Sequence, residues 1–143
     1  MNDDIFDEWE KDCRIDRTQL DVESLATPRI HAKYMRMYHS ERNKLKILRA
    51  DLSKLKLAKY EFYIQGPSEE TRAKGWRYPK GKILKSDIGL YMDADTDIID
   101  MNLQVGYLEE RISALENIIR NLNNRGFQIK NAIDFLRWTN GEI

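Results

Sequence analysis

Apolar residues recur at helical spacing along two long stretches of the chain. The first seam runs Ile30, Tyr34, Met37, Glu41, Leu45, Leu48, Leu52, Leu55, Lys59, Phe62. Its steps mostly alternate four and three, the signature of a heptad face. Glu41 and Lys59 interrupt it with charge. Thr27-Pro28 reads as the helix start, because Thr caps free N–H groups and Pro suits the first helical position. No Gly or Pro follows until Gly66-Pro67. A helix over 28–65 would be about 57 Å long, more than a compact domain of this size ordinarily holds.

The second seam is more regular: Ile98, Met101, Val105, Leu108, Ile112, Leu115, Ile119, Leu122. Asp95 or Thr96 caps its start, and Asp97 and Asp100 suit the positive end of the helix. Gly126 is expected to end it, with a short helix from Phe127 to Trp138 carrying Ile129, Ala132, Ile133 and Leu136 on one face. A short amphipathic helix is expected within the first 20 residues, with Ile5, Phe6 and Trp9 on one side. Between the seams, Trp76 to Leu84 reads as a short β-hairpin around a type I turn at Tyr78–Gly81.

The expected fold is therefore mainly α: a long antiparallel helical hairpin, short terminal helices and a small β-hairpin in the linker. It reads as one domain, with an acidic segment 1–27, a basic helix 28–65, a linker 66–95, a second heptad helix 96–125 and a C-terminal helix 126–143. Two long helices and a hairpin enclose no core alone, so the pattern predicts self-association. A closed ring of helical hairpins is one solution and a dimeric coiled coil the simpler one. The second seam, Ile98 to Leu122, is the expected interface between copies.

Composition first argues against a nucleic-acid binder. The 143 residues carry 24 Lys and Arg against 24 Asp and Glu, a net charge of zero. No apolar run approaches the roughly 18 residues of a membrane span. The start, Met1-Asn2-Asp3-Asp4, is acidic where a secretion signal is basic. The single cysteine, Cys13, forms no internal disulfide, which suits a reducing compartment. Charge by segment changes the picture. Met1–Thr27 has nine acids and three bases, net −6; Ser86–Asp100 has five acids and no base, net −5. Pro28–Gln65 has ten bases and three acids, and Gly66–Lys85 six bases and two acids, so Pro28–Lys85 carries net +11. Surface fields follow local charge rather than the total.

The apparent catalytic and metal motifs each lack a required part. Asp93-Ala94-Asp95-Thr96-Asp97 begins like a calcium loop, but Ile98 stands where Gly is needed and Gln104 where a bidentate Glu is needed. Gly75 to Ile83 approaches a phosphate loop, but its spacing is one residue too long and Ile83 replaces the hydroxyl that holds magnesium. His31 and His39 lie about 12 Å apart along a helix and share no metal unaided. Cys13 has no local partner for zinc or for nucleophilic chemistry. No enzyme, cofactor or metal is expected.

The linker does supply a binding chemistry. Arg72, Lys74, Arg77, Lys80, Lys82 and Lys85 surround Trp76 and Tyr78. Cations that track phosphates and flat rings that stack on bases are the two parts of a single-strand binder. The competing reading packs both rings onto a helix and leaves the bases merely solvated. A second patch lies at the helix end, where Lys54, Lys56 and Lys59 precede Tyr60, Phe62 and Tyr63. A coiled-coil adaptor without nucleic-acid binding is the alternative function.

Four stretches resemble the phage recombination mediators of the UvsY type. Ile15-Asp16-Arg17-Thr18-Gln19-Leu20 is similar to the family's I-D-x-T-x-L. Leu57-Ala58-Lys59-Tyr60-Glu61-Phe62-Tyr63 with Gly66 resembles K-A-R-L-D-Y-Y-x-G. Asp95-Thr96-Asp97-Ile98 with Leu103-Gln104 resembles its D-K-D-V and L-Q-Y region. Arg125-Gly126-Phe127-Gln128-Ile129-Lys130 is nearly R-G-F-A-I-K. The resemblance implies a homo-oligomeric ring of six or seven subunits, acting in the cytoplasm of the infected host cell. It implies as partners single-stranded DNA, a single-stranded-DNA-binding protein and a RecA-like recombinase that the mediator helps to load. The family's K-A-R-L stretch is associated with DNA binding. Lys59 takes its Arg position, Leu57 replaces its Lys, and neighbouring Lys56 offers a substitute.

Overall fold

The computed structural model describes residues 4–142; the acidic start, Met1–Asp3, and Ile143 lie outside the described residues. The elements are α1 (Ile5–Asp12), α2 (Leu20–Gln65), α3 (Glu69–Ala73), a 3₁₀ turn (Lys85–Asp87), α4 (Ile88–Asp93) and α5 (Thr96–Thr139). Among the described residues there is no strand, and no helix is long and apolar enough to cross a membrane. Two compact units divide the chain, Met1–Arg42 with Glu109–Ile143 and Asn43–Leu108.

In the first unit, Ile5, Tyr34, Leu115, Ile118 and Leu122 form the buried cluster, with Trp9, Ile30, Met37, Tyr38 and Ile119 against it. Trp9 meets the Tyr34 ring edge-on at 5.4 Å. Asp4 caps α1 by accepting from the Phe6 N–H. Lys33 then ties α1 to α2, reaching Glu8 at 2.6 Å and Asp12 at 2.7 Å, while the Tyr34 hydroxyl also donates to Asp12. Ile5 and Trp9 turn inward as expected, but Phe6 is 68% exposed, because its position lies off the inward face. As α2 advances from Glu23 to Glu41, its ion-pair partners on α5 recede from Arg125 to Arg111.

Two expected boundaries differ in this unit. Helix α2 starts at Leu20, not at Pro28, and runs through the proline. An Asx turn, in which Asp16 accepts from the Thr18 N–H and hydroxyl, starts the helix early. An internal proline costs about 3 kcal/mol. Offsetting bonds come from Arg125, which donates to the Glu23 carbonyl at 2.6 Å and the Thr27 hydroxyl at 2.8 Å, in the turn before Pro28. Helix α5 likewise continues through Gly126 to Thr139, so the segment 126–143 is not a separate helix. A helical glycine costs only about 1 kcal/mol. Burial of Arg125 and Ile129 on either side outweighs that.

In the second unit, Leu45, Leu52, Lys59 and Phe62 of α2 and Ile98 of α5 are buried. Phe62, Tyr63 and Ile88 form a cluster against which Trp76, Tyr78, Ile83 and Met92 pack. The expected β-hairpin over Trp76–Leu84 is absent: the segment is irregular. Trp76, Tyr78 and Ile83 are drawn onto Phe62 and Tyr63 of α2 and Ile88 of α4 rather than set out along a paired ribbon. Ser68 and Thr71 make a reciprocal capping box on α3. Gly75 and Gly81, at φ 78° and 87°, supply the left-handed turns at either end of the basic loop.

The second seam is spent largely inside the chain. Ile98, Ile112, Leu115 and Leu122 are buried, while Met101, Val105, Leu108 and Ile119 are half-buried.

Candidate nucleic-acid interface

The basic loop is anchored by its aromatics. Trp76 and Tyr78 meet the Phe62 ring at 5.4 and 5.5 Å, both edge-on. The Tyr78 hydroxyl donates to the Tyr63 carbonyl at 3.2 Å. Both rings are half-buried, so their faces serve packing more than display. Arg72, Lys74, Arg77, Lys80, Lys82 and Lys85 are all exposed. Lys74 stands near Glu70, at 3.6 Å, and 5.0 Å from the Trp76 ring. The loop thus presents cations on an aromatic foot.

The helix-end patch is divided by the helix itself. Lys54 and Lys56 are exposed, but Lys59 is only 3% exposed. Its ammonium contacts Asp97 at 2.8 Å and Asp95 at 3.0 Å, and lies 4.1 Å from the Trp76 ring centre. The heptad seam held this signal: a cation at a core position needs a carboxylate beside it. Phe62 and Tyr63 are buried, whereas Tyr60 is 41% exposed.

Asp95 joins these parts. It accepts from the Tyr63 hydroxyl at 2.6 Å and from the Ile98 N–H at 3.1 Å, so it caps α5 from a buried position. Burial pushes its carboxyl up, but the bonds from Tyr63, Lys59 and Ile98 outweigh this and hold it below the usual carboxylate range. Burial and then the bond to Asp95 push the Tyr63 phenol up, so it stays a neutral donor. A cleft of about 270 Å³ opens beside this cluster, lined in part by Lys59, Trp76, Arg77, Thr96 and Asp97. Among the described residues no group of three or more metal-ligating side chains converges. The site has the chemistry of polyanion binding: many exposed cations, with the acids nearest the loop's foot engaged in the fold.

Comparison with known proteins gives this geometry a family. The model of the family described as "Recombination, repair and ssDNA binding protein UvsY" matches residues 8–142. No curated protein matches. A crystal structure of the bacteriophage T4 recombination mediator protein UvsY, lattice type I, superposes with a TM-score of 0.79 at 20% identity, covering 96% of this chain and 99% of that one. A second, lattice type II, gives 0.77 at 21% identity, covering 97% of each. These likenesses show a common fold. With the family match spanning nearly the whole length, the chain belongs to the UvsY family of recombination, repair and single-stranded-DNA-binding proteins.

Proposed function

We propose that this chain is a recombination mediator that binds single-stranded DNA and helps load a RecA-like recombinase onto strands covered by a single-stranded-DNA-binding protein. It works in the cytoplasm of an infected host cell, without catalysis or a cofactor. The family match over residues 8–142 carries this reading. The six exposed cations from Arg72 to Lys85, with Lys54 and Lys56, supply the phosphate contacts. Lys59, Trp76 and Tyr78 hold that surface in place from beneath.

The active form is a ring-like homo-oligomer of six or seven helical hairpins. Exposed apolar side chains support association: Leu25 at 83%, Phe127 at 68% and Trp138 at 67%. Half-buried members of the second seam, Met101, Val105, Leu108 and Ile119, contribute the remainder of that contact. A ring lines many weak sites along one strand, and avidity multiplies them. Binding that differs between covered and bared strand drives the exchange toward the recombinase. The acidic N-terminal segment contacts basic surfaces of the protein partners.

The test is fluorescence anisotropy of labelled oligo-dT at low and rising salt, with mass by light scattering. Binding that weakens with a slope of about −0.7 per phosphate contacted, by an assembly of several chains, is expected. A chain that leaves oligo-dT free at low salt overturns the reading. A stable 17.0 kDa monomer overturns the ring.

A further inference from the structure

Helices α1 and α5 leave a groove between them in the first unit. Its apolar end, a recess of about 420 Å³, is lined in part by Phe6, Trp9, Ala114 and Ile118. Its polar end, about 270 Å³, is lined by Cys13, Asn121, Arg125 and Gln128 together with Trp9. Trp9 and Asn121 line both, so the two recesses adjoin. On α5 the lining residues from Glu110 through Asn121 to Gln128 recur three or four positions apart, on one face. That stripe runs about 27 Å along the helix axis, the length of about eight residues of extended chain.

Arg125 sets the chemistry of the polar end. Its side chain is 3% exposed. Nη1 donates to the Glu23 carbonyl and the Thr27 hydroxyl, and Nη2 to the Glu23 carboxylate. Nε is buried and has no hydrogen-bond partner among the described residues. Buried donors are nearly always satisfied, because leaving one unmade is costly. Glu23 already matches the charge and a single N–H is left, so one neutral acceptor suits it better than a fork-binding anion. A peptide carbonyl is such an acceptor, and the exposed carboxamides of Asn121 and Gln128 can pair with the same backbone. Nε alone would take a water; the apolar recess alongside favours a peptide.

The apolar end narrows the occupant further. Phe6 is 68% exposed, and it shares the recess with the small side chains of Ser113 and Ala114. That leaves room for a branched or aromatic side chain. Glu110 is the charged group lining this recess, and exposed Glu10 stands one turn from Phe6 on α1. Arg120, the base at this edge, is tied to the Asn117 carboxamide at 3.0 Å. Charge complementarity here selects a basic residue.

We propose that the α1–α5 groove docks an extended segment of a second protein. A basic residue meets Glu110, a branched or aromatic side chain fills the recess at Phe6 and Trp9, and a backbone carbonyl accepts from the Arg125 Nε. This rests on the reading above that the acidic N-terminal part meets basic protein surfaces, and deepens it by naming the groove and the features of its occupant.

The test probes an array of octapeptides with the labelled full-length chain, then measures the strongest peptide by anisotropy. Enriched peptides are expected to carry Lys or Arg toward one end and a branched or aromatic residue within. Ala114→Trp, which fills the recess, is expected to abolish binding. Glu110→Lys is expected to weaken it about threefold to fivefold, and a peptide with Glu in place of its base to restore it. Arg125→Lys, which keeps a cation for Glu23 but lacks Nε, is expected to weaken it about fivefold, the worth of one neutral hydrogen bond. If Arg125→Lys fails to fold by circular dichroism, Glu110→Lys with the exchanged peptide decides. An array without enrichment, enrichment of acidic peptides, or binding that survives Ala114→Trp overturns the proposal. Light scattering and oligo-dT anisotropy are read on the Glu110 and Ala114 variants and are expected to be unchanged. An altered assembly mass would give the groove to a second copy, and lost oligo-dT binding would give it to nucleic acid; either overturns the proposal. If the unaltered chain binds the peptide but not oligo-dT, the DNA reading falls and the groove stands. If it binds oligo-dT and no peptide, the groove alone falls.

Discussion

Lys59 and Asp95 form an ion pair with both side chains about 95% removed from solvent, their nitrogen and oxygen 3.0 Å apart. The pair joins the last turns of α2 to the cap of α5. Asp95 is also the acceptor for Tyr63, and Lys59 lies under Trp76, so one buried pair fastens a helix cap and the basic loop together.

Breaking this pair from one side is expected to be costly. Lys59→Ala leaves Asp95 buried beside no cation, and losses of about 3 kcal/mol attend such changes. Asp97, whose side chain is 52% exposed, is expected to matter less, under about 1 kcal/mol on substitution by Ala. Urea unfolding of the two variants separates these outcomes; equal losses would remove the special place of Asp95.

The same pair sets an acid limit. Asp95 and Asp12 both have carboxyls held below their ordinary value of 3.8. In each, burial pulls upward and hydrogen bonds from neighbouring donors pull further down. A depressed carboxyl stabilises the fold fully above the unfolded value and loses that contribution as pH falls through the folded one. Melting temperature is therefore expected to hold from neutrality and drop below about pH 4. Asp95→Asn should start lower at neutral pH, and its gap from the unaltered chain should narrow as acid is added.

Arg125 fastens the start of α2. Its guanidinium reaches the Glu23 carboxylate at 2.6 Å and the Glu23 carbonyl and Thr27 hydroxyl besides. Arg125→Ala is expected to cost about 3 kcal/mol, because half-buried Glu23 loses its buried partner. Amide exchange should rise first in residues 20–27, where Pro28 already removes one helical donor. Uniform exchange along α2 would contradict this.

Gly126 offers the opposite outcome. Its φ is not positive, and a Cβ built there meets nothing within 4 Å. Gly126→Ala is expected to stabilise by about 0.5–1 kcal/mol through helix propensity. An unchanged or lower urea midpoint would mean that the glycine serves a contact outside the single chain.

The heptad spacing of Ile30 to Phe62 and of Ile98 to Leu122 was sufficient to determine two long helices and the face each buries, because a 3.5–3.6 residue period has one solution. The segment charges likewise determined where cations concentrate, since charge is additive along the chain. Glu41 and Lys59 were visible as breaks in the seam, but their partners, Arg111 and Asp95, lie 70 and 36 positions away, and only tertiary structure chooses among distant carboxylates and cations. Pro28 and Gly126 looked like boundaries because local propensity is all that a short window shows. Arg125 and the buried Ile129 overrule it by tertiary bonds and packing that exceed one to three kcal/mol. The rings of the basic segment were equally ambiguous. Trp76 and Tyr78 went to the Phe62 cluster and Tyr60 stayed open, a choice set by which face of α2 the other helices cover. Sequence determined the elements and their chemistry; packing decided which cations and which rings stay exposed.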